Sequence, residues 1–366
     1  MISIHLLESL LVGLGLHPKE IGLVKLQGDA STRSYFRISF KNGEARETRI
    51  LMVLGQTEAF SEATSGTMPP GAPAELPFIN VQRHLRACGI AVPEIYCYDA
   101  AQGWLLLEDL GDRTLSEALL GQDEARIASY YQKAVDILIR MQQKGTPYVE
   151  ASIAHGRAFD QALLMWELNH FIEYGIEARQ GVALPDTAMR EIRASFSEIA
   201  LRLSLLPQVF THRDYHSRNL MVQAPDDRIR VLDFQDALMG PPQYDLASLL
   251  RDSYVELPET LVDRLIAYYL QGCTAHPNLV ADLVADPVAY PVASPAMFRE
   301  LFDLMSLQRN MKAAGRFVYI DRVKGNHRFL QYVPPTLAKI RRNLRQYPRW
   351  ASLHRLLSEF VPELSS

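Results

Sequence analysis

The hydrophobic periodicity of this chain changes near Gly111, and that change limits the folds open to it more than any other feature. Residues 34–40 (SYFRISF) alternate apolar and polar side chains, and residues 48–54 (TRILMVL) form an apolar run. Both patterns are typical of strands, and the Asn-Gly pair between them predicts a hairpin. After Gly111 most segments carry helical periodicity instead. The sequence therefore predicts an α+β fold, with a small β-rich N-terminal lobe over residues 1–110 and a large, mostly helical C-terminal lobe over residues 111–366.

Other segments support this division. The opening residues MISIHLLESLLVGLG place apolar side chains at helical spacing, and FINVQRHLRACG predicts a helix that Gly89 ends. The segments VPEIYCYDA and GWLLLEDLG predict two more strands. In the second lobe, Thr114 and Glu117 have the spacing of a capping box. The apolar stripe from Ile127 to Met141 predicts a long helix behind that box.

The composition disfavours several classes of function. The 366 residues are 48% hydrophobic and 22% charged, with a formal net charge of −4, so the chain can bury a large core and nucleic acid is not its default partner. Its three cysteines are odd in number and lack metal-ligand spacing, which predicts thiols of a reducing compartment. No secretory signal opens the chain, and no apolar run reaches the roughly 18 residues that a membrane span needs. We therefore expect a cytoplasmic protein with no membrane or nucleic-acid partner.

One polar segment, THRDYHSRNLMV at residues 211–222, is enclosed by apolar runs that read as short strands. Asn219 follows Asp214 by five positions, and Asp233 comes directly after the apolar run IRVL. Phosphoryl transfer from a nucleotide needs one carboxylate near the acceptor hydroxyl, and an amide with a second carboxylate to hold Mg²⁺ against the phosphates. Oxygen ligands of these kinds suit Mg²⁺. The spacing therefore predicts a phosphotransferase site.

The same residues carry a family resemblance. HRDYHSRN followed by LDFQDALMGPPQYDLASLL resembles the aminoglycoside phosphotransferase and choline kinase-like family, small-molecule kinases with a protein-kinase-like two-lobed fold. By this resemblance, Asp214 is the catalytic base, and Asn219 and Asp233 are the metal ligands. Asp245 then matches an aspartate that supports the catalytic loop. The segments GDASTRSYFRI and LQRNMKAAGRF are similar to those of the bacterial kinases that recycle cell-wall sugars.

The resemblance also implies where the nucleotide binds. The loop GDASTR would cover the ATP phosphates, with contacts from Gly28, Ser31, Thr32 and Arg33. The segment from Glu108 to Leu110 would be the hinge whose backbone meets adenine, so we expect contacts from both of those residues. Two features depart from the kinase pattern. The second predicted strand reads ILMVLG, without the usual phosphate-binding lysine, and DFQ stands in place of Asp-Phe-Gly. Either Arg33 or Arg37 could supply the missing charge.

The residues that bind the phosphate acceptor are harder to predict from spacing. His216 and Asp236 lie beside the predicted catalytic and metal residues, so we name both as substrate candidates. The segment RNMKAAGRFVYIDRVKGNHR carries six cations and a single acid. Most of these cations are typical of a solvated helix face, but one or two of them could bind an anionic group such as the lactyl carboxylate of muramic acid. We take Arg309 and Lys312 as those candidates, since a polycationic aminoglycoside would need acids there.

The prediction from sequence is thus an enzyme that uses ATP and Mg²⁺ to phosphorylate a sugar hydroxyl. The resemblance implies the anomeric hydroxyl of N-acetylmuramic acid or N-acetylglucosamine, in peptidoglycan recycling. Two alternatives stay open at this point. One is a kinase of another small acceptor, such as an aminoglycoside, choline or homoserine. The other is a catalytically idle nucleotide-binding regulator, which the missing strand lysine would suit.

Overall fold

A computed structural model describes residues 2–26, 33–55, 75–147, 149, 151–274 and 294–365. Its strands are β1 (Pro18–Lys25), β2 (Ser34–Asn42), β3 (Ala45–Val53), β4 (Ile95–Asp99), β5 (Trp104–Glu108), β6 (Val209–Thr211), β7 (Leu220–Gln223), β8 (Arg228–Val231) and β9 (Leu238–Gly240). Its helices are α1 (Ile4–Gly13), α2 (Pro77–Ala87), α3 (Leu115–Ala118), α4 (Glu124–Gly145), α5 (Gln161–His170), a π-helix (Phe171–Ala178), α6 (Asp186–Ser204), α7 (Gln243–Leu250), α8 (Glu259–Thr274), α9 (Pro295–Lys324), α10 (Val333–Gln346) and α11 (Ala351–Phe360).

The chain forms two compact units, one made of Met1–Thr64 and Val92–Asp112 and the other of Ser65–Ala91 and Arg113–Ser366. The first is strand-rich and the second is mostly helical, as the α+β prediction requires. The predicted boundary at residue 110 stays a prediction. The helix α2 groups with the second unit, although it precedes that boundary in sequence.

The first unit is built on an antiparallel sheet with strand order β1-β2-β3-β5-β4. The predicted hairpin is confirmed: β2 and β3 pair along their whole length, up to Asn42 opposite Ala45. The amphipathic helix α1 buries Leu7 and Leu11 fully against Ile38 and other apolar side chains of the sheet. Burial of that apolar face stabilises a helix too short to persist alone.

The strand β1 was not predicted from the sequence. It lies at the edge of the sheet, and its register shifts between Lys19 and Gly22. Glu20, inside that irregularity, has a φ of 52°. A bulge interrupts the alternation of apolar and polar side chains on which strand prediction depends, and an edge strand buries little. The pattern of apolar and polar residues therefore gave no clear indication of this strand.

The second unit packs around long helices. The predicted stripe on α4 is confirmed, since Tyr131, Ala134, Leu138 and Met141 are fully buried. The predicted capping box is present at the start of α3. The 30-residue helix α9 is buried on most of its circumference and contacts α5, the π-helix, α7 and α10. Within the described part of the chain, no helix combines the length and the apolar character of a membrane span.

Two short strand pairs place the polar segments of this unit. The strand β7 pairs with β8 so that Leu220 is opposite Val231, and β6 pairs with β9. The segment after β6 and the segment after β8 are consequently neighbours, and the Leu232 N–H donates to the Asn219 carbonyl at 2.9 Å. Sheet pairing thus brings the residues that precede β7 next to those that follow β8.

Candidate active site

The loop from His212 to Asn219 is named here the catalytic loop. A buried carboxylate holds its first residues. Asp245 on α7 is fully buried and accepts hydrogen bonds from the backbone N–H groups of His212 (2.6 Å) and Arg213 (3.0 Å). Burial raises the pKa of Asp245 to about 7, although both hydrogen bonds oppose that rise. Arg213 has a φ of 80°, a left-handed conformation that costs energy in a residue with a side chain and persists only where its surroundings impose it. The expected support of this loop by Asp245 is confirmed.

His212 connects the loop to the segment that carries Asp233. The ring is fully buried, its Nε2 donates to the Leu232 carbonyl at 2.9 Å, and its Nδ1 accepts from the Asp214 N–H at 3.3 Å. These two bonds require the neutral tautomer with its proton on Nε2. Burial lowers the pKa of His212 to about 4, despite the opposing charge of Asp214. His212 is thus a buried histidine that binds backbone groups close to Asp233, the predicted metal ligand.

A second carboxylate holds the middle of the loop, and sequence reasoning missed it. Asp252 is almost fully buried and accepts hydrogen bonds from both the backbone N–H (2.9 Å) and the hydroxyl of Ser217. Asp252 follows Asp245 by seven positions. Because Asp252 lies two residues beyond the end of α7, the helical spacing of acids on one face gave no signal for it.

The predicted catalytic and metal residues lie together. The Asn219 Nδ2 donates to the Asp214 carbonyl oxygen at 2.9 Å and lies 3.4 Å from Asp233 Oδ2. The Gln235 Nε2 donates to the other Asp233 oxygen at 2.9 Å, a contact that sequence reasoning did not foresee. Asp233 is exposed and has a φ of 60°, in the left-handed region. The Asp233 carboxylate faces solvent, and its backbone is held in a strained conformation. Both features are typical of functional positions.

The donor set of Asn219 and Asp233 fits Mg²⁺. Magnesium in phosphoryl-transfer sites takes one or two carboxylates from the protein and completes its octahedron with phosphate oxygens and water. The Asp233 carboxylate and the Asn219 amide oxygen are ligands of this kind, and the two side chains are neighbours, with Asn219 Nδ2 3.4 Å from Asp233 Oδ2. No group of three or more His, Cys, Asp or Glu side chains in the described ranges forms a metal cage, such as a structural zinc site would use.

A buried ion cluster lies against Asp214. Glu167 on α5 is fully buried and pairs with Arg213 and with Lys312 of α9, each at 3.1 Å, and it accepts a hydrogen bond from Gln308. Lys312 Nζ is also 3.8 Å from Asp214 Oδ1, whose side chain is 34% exposed. Glu167 was not among the sequence candidates, since a single acid within a helix has no distinguishing spacing.

Charge in this cluster keeps its acids ionised. Burial raises the pKa of Asp214, but Lys312, Arg309 and Arg213 outweigh it and hold the pKa of that carboxyl well below its usual range. Burial likewise raises the pKa of Glu167, and Lys312 with Arg213 lowers it below the ordinary value. Asp214 is therefore a carboxylate at neutral pH and a weak base.

The four candidates for binding the acceptor differ in how firmly neighbouring residues hold their side chains. Arg309 donates to the Arg213 carbonyl at 2.9 Å and stacks on Tyr244, and Lys312 belongs to the ion cluster, so both are held in place beside Asp214. His216 Nε2 lies 3.5 Å from the Asn219 amide nitrogen. Asp236 accepts a long hydrogen bond of 3.4 Å from Gln235. All four thus adjoin the predicted catalytic and metal residues.

The nucleotide candidates belong to the first unit. Gly28, Ser31 and Thr32 lie outside the described residues, and Arg33 stands just before β2. Glu108 ends β5 and its N–H donates to the Glu94 carbonyl at 2.9 Å, while Leu110 is buried. The contacts among the described residues of this unit do not show whether these residues bind a nucleotide, so their roles stay predictions.

Arg37, one of the two arginines considered as a replacement for the strand lysine, is engaged elsewhere in that unit. Its guanidinium forms ion pairs with Asp109 at 2.7 Å and Asp112 at 2.8 Å. These two hydrogen-bonded carboxylates raise its pKa further above the ordinary value. The ion pairs attach β2 to the predicted hinge.

Comparison with known proteins agrees with this arrangement. The family model for the phosphotransferase enzyme family (APH) matches residues 22–279. The chain is 31% identical to an N-acetylmuramate/N-acetylglucosamine kinase of Pseudomonas aeruginosa over 92% of this chain and 88% of that protein, and 29% identical to one of Neisseria meningitidis over 94% and 92%. Among solved structures, an ethanolamine kinase of Plasmodium vivax is similar in fold, with a TM-score of 0.56 and 14% identity, over 91% of this chain and 84% of that one. The predicted kinase-like fold is thereby confirmed.

Proposed function

Because this chain belongs to the phosphotransferase enzyme family, we propose that it transfers the γ-phosphate of ATP, with Mg²⁺, to the anomeric hydroxyl of N-acetylmuramic acid or N-acetylglucosamine. The names of its relatives from Pseudomonas aeruginosa and Neisseria meningitidis support this choice of sugar. The observation that carries the proposal is that the catalytic loop and β7–β8 bring both aspartates next to the Asn219 amide. Its Nδ2 donates to the Asp214 backbone carbonyl at 2.9 Å and lies 3.4 Å from the Asp233 carboxylate.

In this proposal Asp214 orients the acceptor. Its carboxylate accepts the hydrogen bond of the sugar hydroxyl, whose oxygen attacks the γ-phosphorus as the bond to ADP breaks. The hydroxyl proton passes to Asp214 and from there to solvent. A carboxylate with a depressed pKa is a weak base, and an anomeric hydroxyl is more acidic than an ordinary alcohol, so the two are matched. In a loose transition state the proton moves late, and orientation contributes more than base strength.

Asn219 and Asp233 would hold Mg²⁺, which supplies neutralising charge to the phosphates when bound. For the nucleotide we propose backbone contacts with Glu108 and Leu110, and contacts between the phosphates and the loop of Gly28, Ser31, Thr32 and Arg33. These assignments rest on the family pattern. The contacts described for the second unit support the metal pair alone.

The surroundings of Asp214 disfavour a polycationic acceptor. Arg213, Arg309 and Lys312 all lie near this carboxylate, and Glu167 pairs with Arg213 and Lys312 within the buried cluster. An aminoglycoside would bring several positive charges against these cations, which costs binding energy. A neutral or anionic sugar meets no such repulsion. The intact set of catalytic and metal candidates also speaks against an idle regulator.

An acceptor screen with the purified protein tests the proposal. We expect ADP release with N-acetylmuramic acid and N-acetylglucosamine, and none above background with an aminoglycoside, choline or homoserine. The variant Asp214→Asn should lower kcat by about 10²- to 10⁴-fold while ATP affinity stays near that of the wild type. The matched control Asp226→Asn changes an exposed acid in the β7–β8 turn and should keep both values. Turnover near wild type in Asp214→Asn would refute its role.

Calorimetry tests the metal pair separately. We expect Asp233→Ala to abolish the gain in ATP affinity that Mg²⁺ provides, because the variant removes the only carboxylate of the pair. Asn219→Ala should weaken the same gain. An unchanged Mg²⁺ dependence in Asp233→Ala would show that the metal is held elsewhere.

A further inference from the structure

We propose that Arg316 binds the carboxylate of the acidic sugar, and that it determines the preference for N-acetylmuramic acid over neutral N-acetylglucosamine. This inference deepens the proposed function and rests on it. It concerns the face of α9 that packs on α5 and the π-helix.

Gly315 allows an unusually close contact between the helices. A Cβ atom at this position would lie 2.7 Å from the His170 carbonyl oxygen and 3.0 Å from the Phe171 Cα. Only a residue without a side chain fits so near another backbone. Lys312 and Arg316 flank Gly315 on α9, so the close contact brings both of their side chains to the end of α5.

Three cations follow one another along α9, and two of them are occupied. Arg309 donates to the Arg213 carbonyl, and Lys312 pairs with Glu167. Arg316 lies one turn beyond Lys312, a rise of about 6 Å. No carboxylate among the described residues lies within ion-pair distance of its guanidinium. Arg316 is thus a cation without an acid, one helical turn from the cation that touches Asp214.

One aromatic ring lies against this cation, and further rings adjoin that ring. The Arg316 guanidinium lies 4.7 Å from the Tyr319 ring centre, and the Tyr319 ring adjoins those of His170 (5.4 Å) and Tyr174 (5.1 Å). Trp166 stacks on His170 at 5.7 Å and is 39% exposed, which is unusual for so large an apolar side chain. Burial lowers the pKa of His170 to about 4, helped by the charges of Arg316 and Lys312, so the imidazole adds no positive charge of its own at neutral pH.

This arrangement suits an acidic sugar better than any other ligand class. Aromatic rings beside a polar group offer an apolar surface for the C–H face of a pyranose. The arginine fork binds a carboxylate with two parallel hydrogen bonds, and a ring stacked against it holds the fork in place. A sugar with its reactive hydroxyl at Asp214 could thus direct an acidic substituent along α9 towards Arg316. A neutral sugar lacks that group and gains nothing from the arginine.

The test compares two sugars in the full-length protein. We would measure kcat/KM for N-acetylmuramic acid and for N-acetylglucosamine by ADP release. Arg316→Gln should lower the ratio of these two values by about 10- to 100-fold, the scale of a lost pair of charge-assisted hydrogen bonds. Arg316→Lys should recover part of the ratio, because it keeps the charge but not the fork. The matched control Arg322→Gln removes an exposed arginine that pairs with Asp321 on the same helix, and should leave the ratio unchanged.

The outcomes separate this inference from the function on which it rests. If the wild type phosphorylates neither sugar, the proposed function fails and the inference fails with it. If the wild type phosphorylates both sugars and Arg316→Gln leaves their ratio unchanged, only the inference fails. An equal loss for both sugars would make Arg316 a structural residue, and a wild type that accepts only N-acetylglucosamine would leave the arginine no substrate to recognise. Either result overturns the inference.

Discussion

Replacing Gly315 with alanine sets two physical effects of opposite sign against each other. Alanine is the better helix former, and in the interior of α9 it should gain about 1 kcal/mol over glycine. The new Cβ, however, would lie 2.7 Å from the His170 carbonyl oxygen and 3.0 Å from both its carbon and the Phe171 Cα. These are backbone atoms of a packed helix, and they cannot move aside without moving the helix. Overpacking of this kind costs about 1–3 kcal/mol.

With rigid backbone on the opposing side, we take the upper half of that range. The net change in the free energy of unfolding is then a loss of about 1–2 kcal/mol. We also expect a lower kcat/KM, because separating α9 from α5 moves Lys312 away from Glu167 and Asp214. Urea unfolding gives the first quantity, from the shift of the midpoint at constant slope, and ADP release gives the second.

Gly272→Ala is the matched control. It lies in α8, and its new Cβ would lie 2.5 Å from the Cδ1 methyl of Ile139, the far end of a side chain that can rotate away. The rotamer cost of about 0.5–1.5 kcal/mol roughly offsets the gain in helix propensity, so its stability should stay near that of the wild type. If Gly315→Ala is instead as stable as the wild type or more so, helix propensity dominates and the close approach of the helices is not what requires glycine.

Two further predictions concern the catalytic loop. The buried neutral His212 resists protonation down to pH 4, whereas the unfolded chain takes up that proton near pH 6.5, so stability is lost as the pH falls through this window. The wild type should lose about 3 kcal/mol more than His212→Gln between these pH values, and parallel curves from chemical denaturation would contradict the assignment. Asp252→Ala removes the acceptor of two Ser217 hydrogen bonds and should cost about 2 kcal/mol together with most of kcat. Asp252→Asn should recover part of both, and a variant with normal kcat would show that this anchor is dispensable.

Local pattern predicted the elements whose burial follows a regular period. The strand β2 and the stripe on α4 were foreseen because their apolar side chains recur at a regular period, and β3 was foreseen from its continuous apolar run, in which Leu51 and Met52 are both buried. The edge strand β1 was missed, since its bulge breaks the alternation. Asp214, Asn219 and Asp233, which the sequence grouped, do lie together, because a short loop between two strands keeps them near one strand pair; their roles stay predictions.

The partners of that loop could not be foreseen in the same way. Glu167, Gln235 and Asp252 each bind a residue of the site, yet none has a sequence pattern that distinguishes it from an ordinary polar residue. These residues matter to the site because they are buried. A carboxylate or amide in a low-dielectric interior must be paired, and which partner it meets depends on helix packing.

The amino-acid sequence alone determined the type of chemistry available to this protein, because the order of His212, Asp214, Asn219 and Asp233 along a loop and a strand pair is a local property. Only the tertiary structure decided the charge around that chemistry. The close contact of α9 with α5 at Gly315 brings Lys312 to Asp214 and, among the described residues, leaves Arg316 without an acid at ion-pair distance. Electrostatic energy depends on distance through space, and helices far apart in sequence acquire those distances only when the chain has packed.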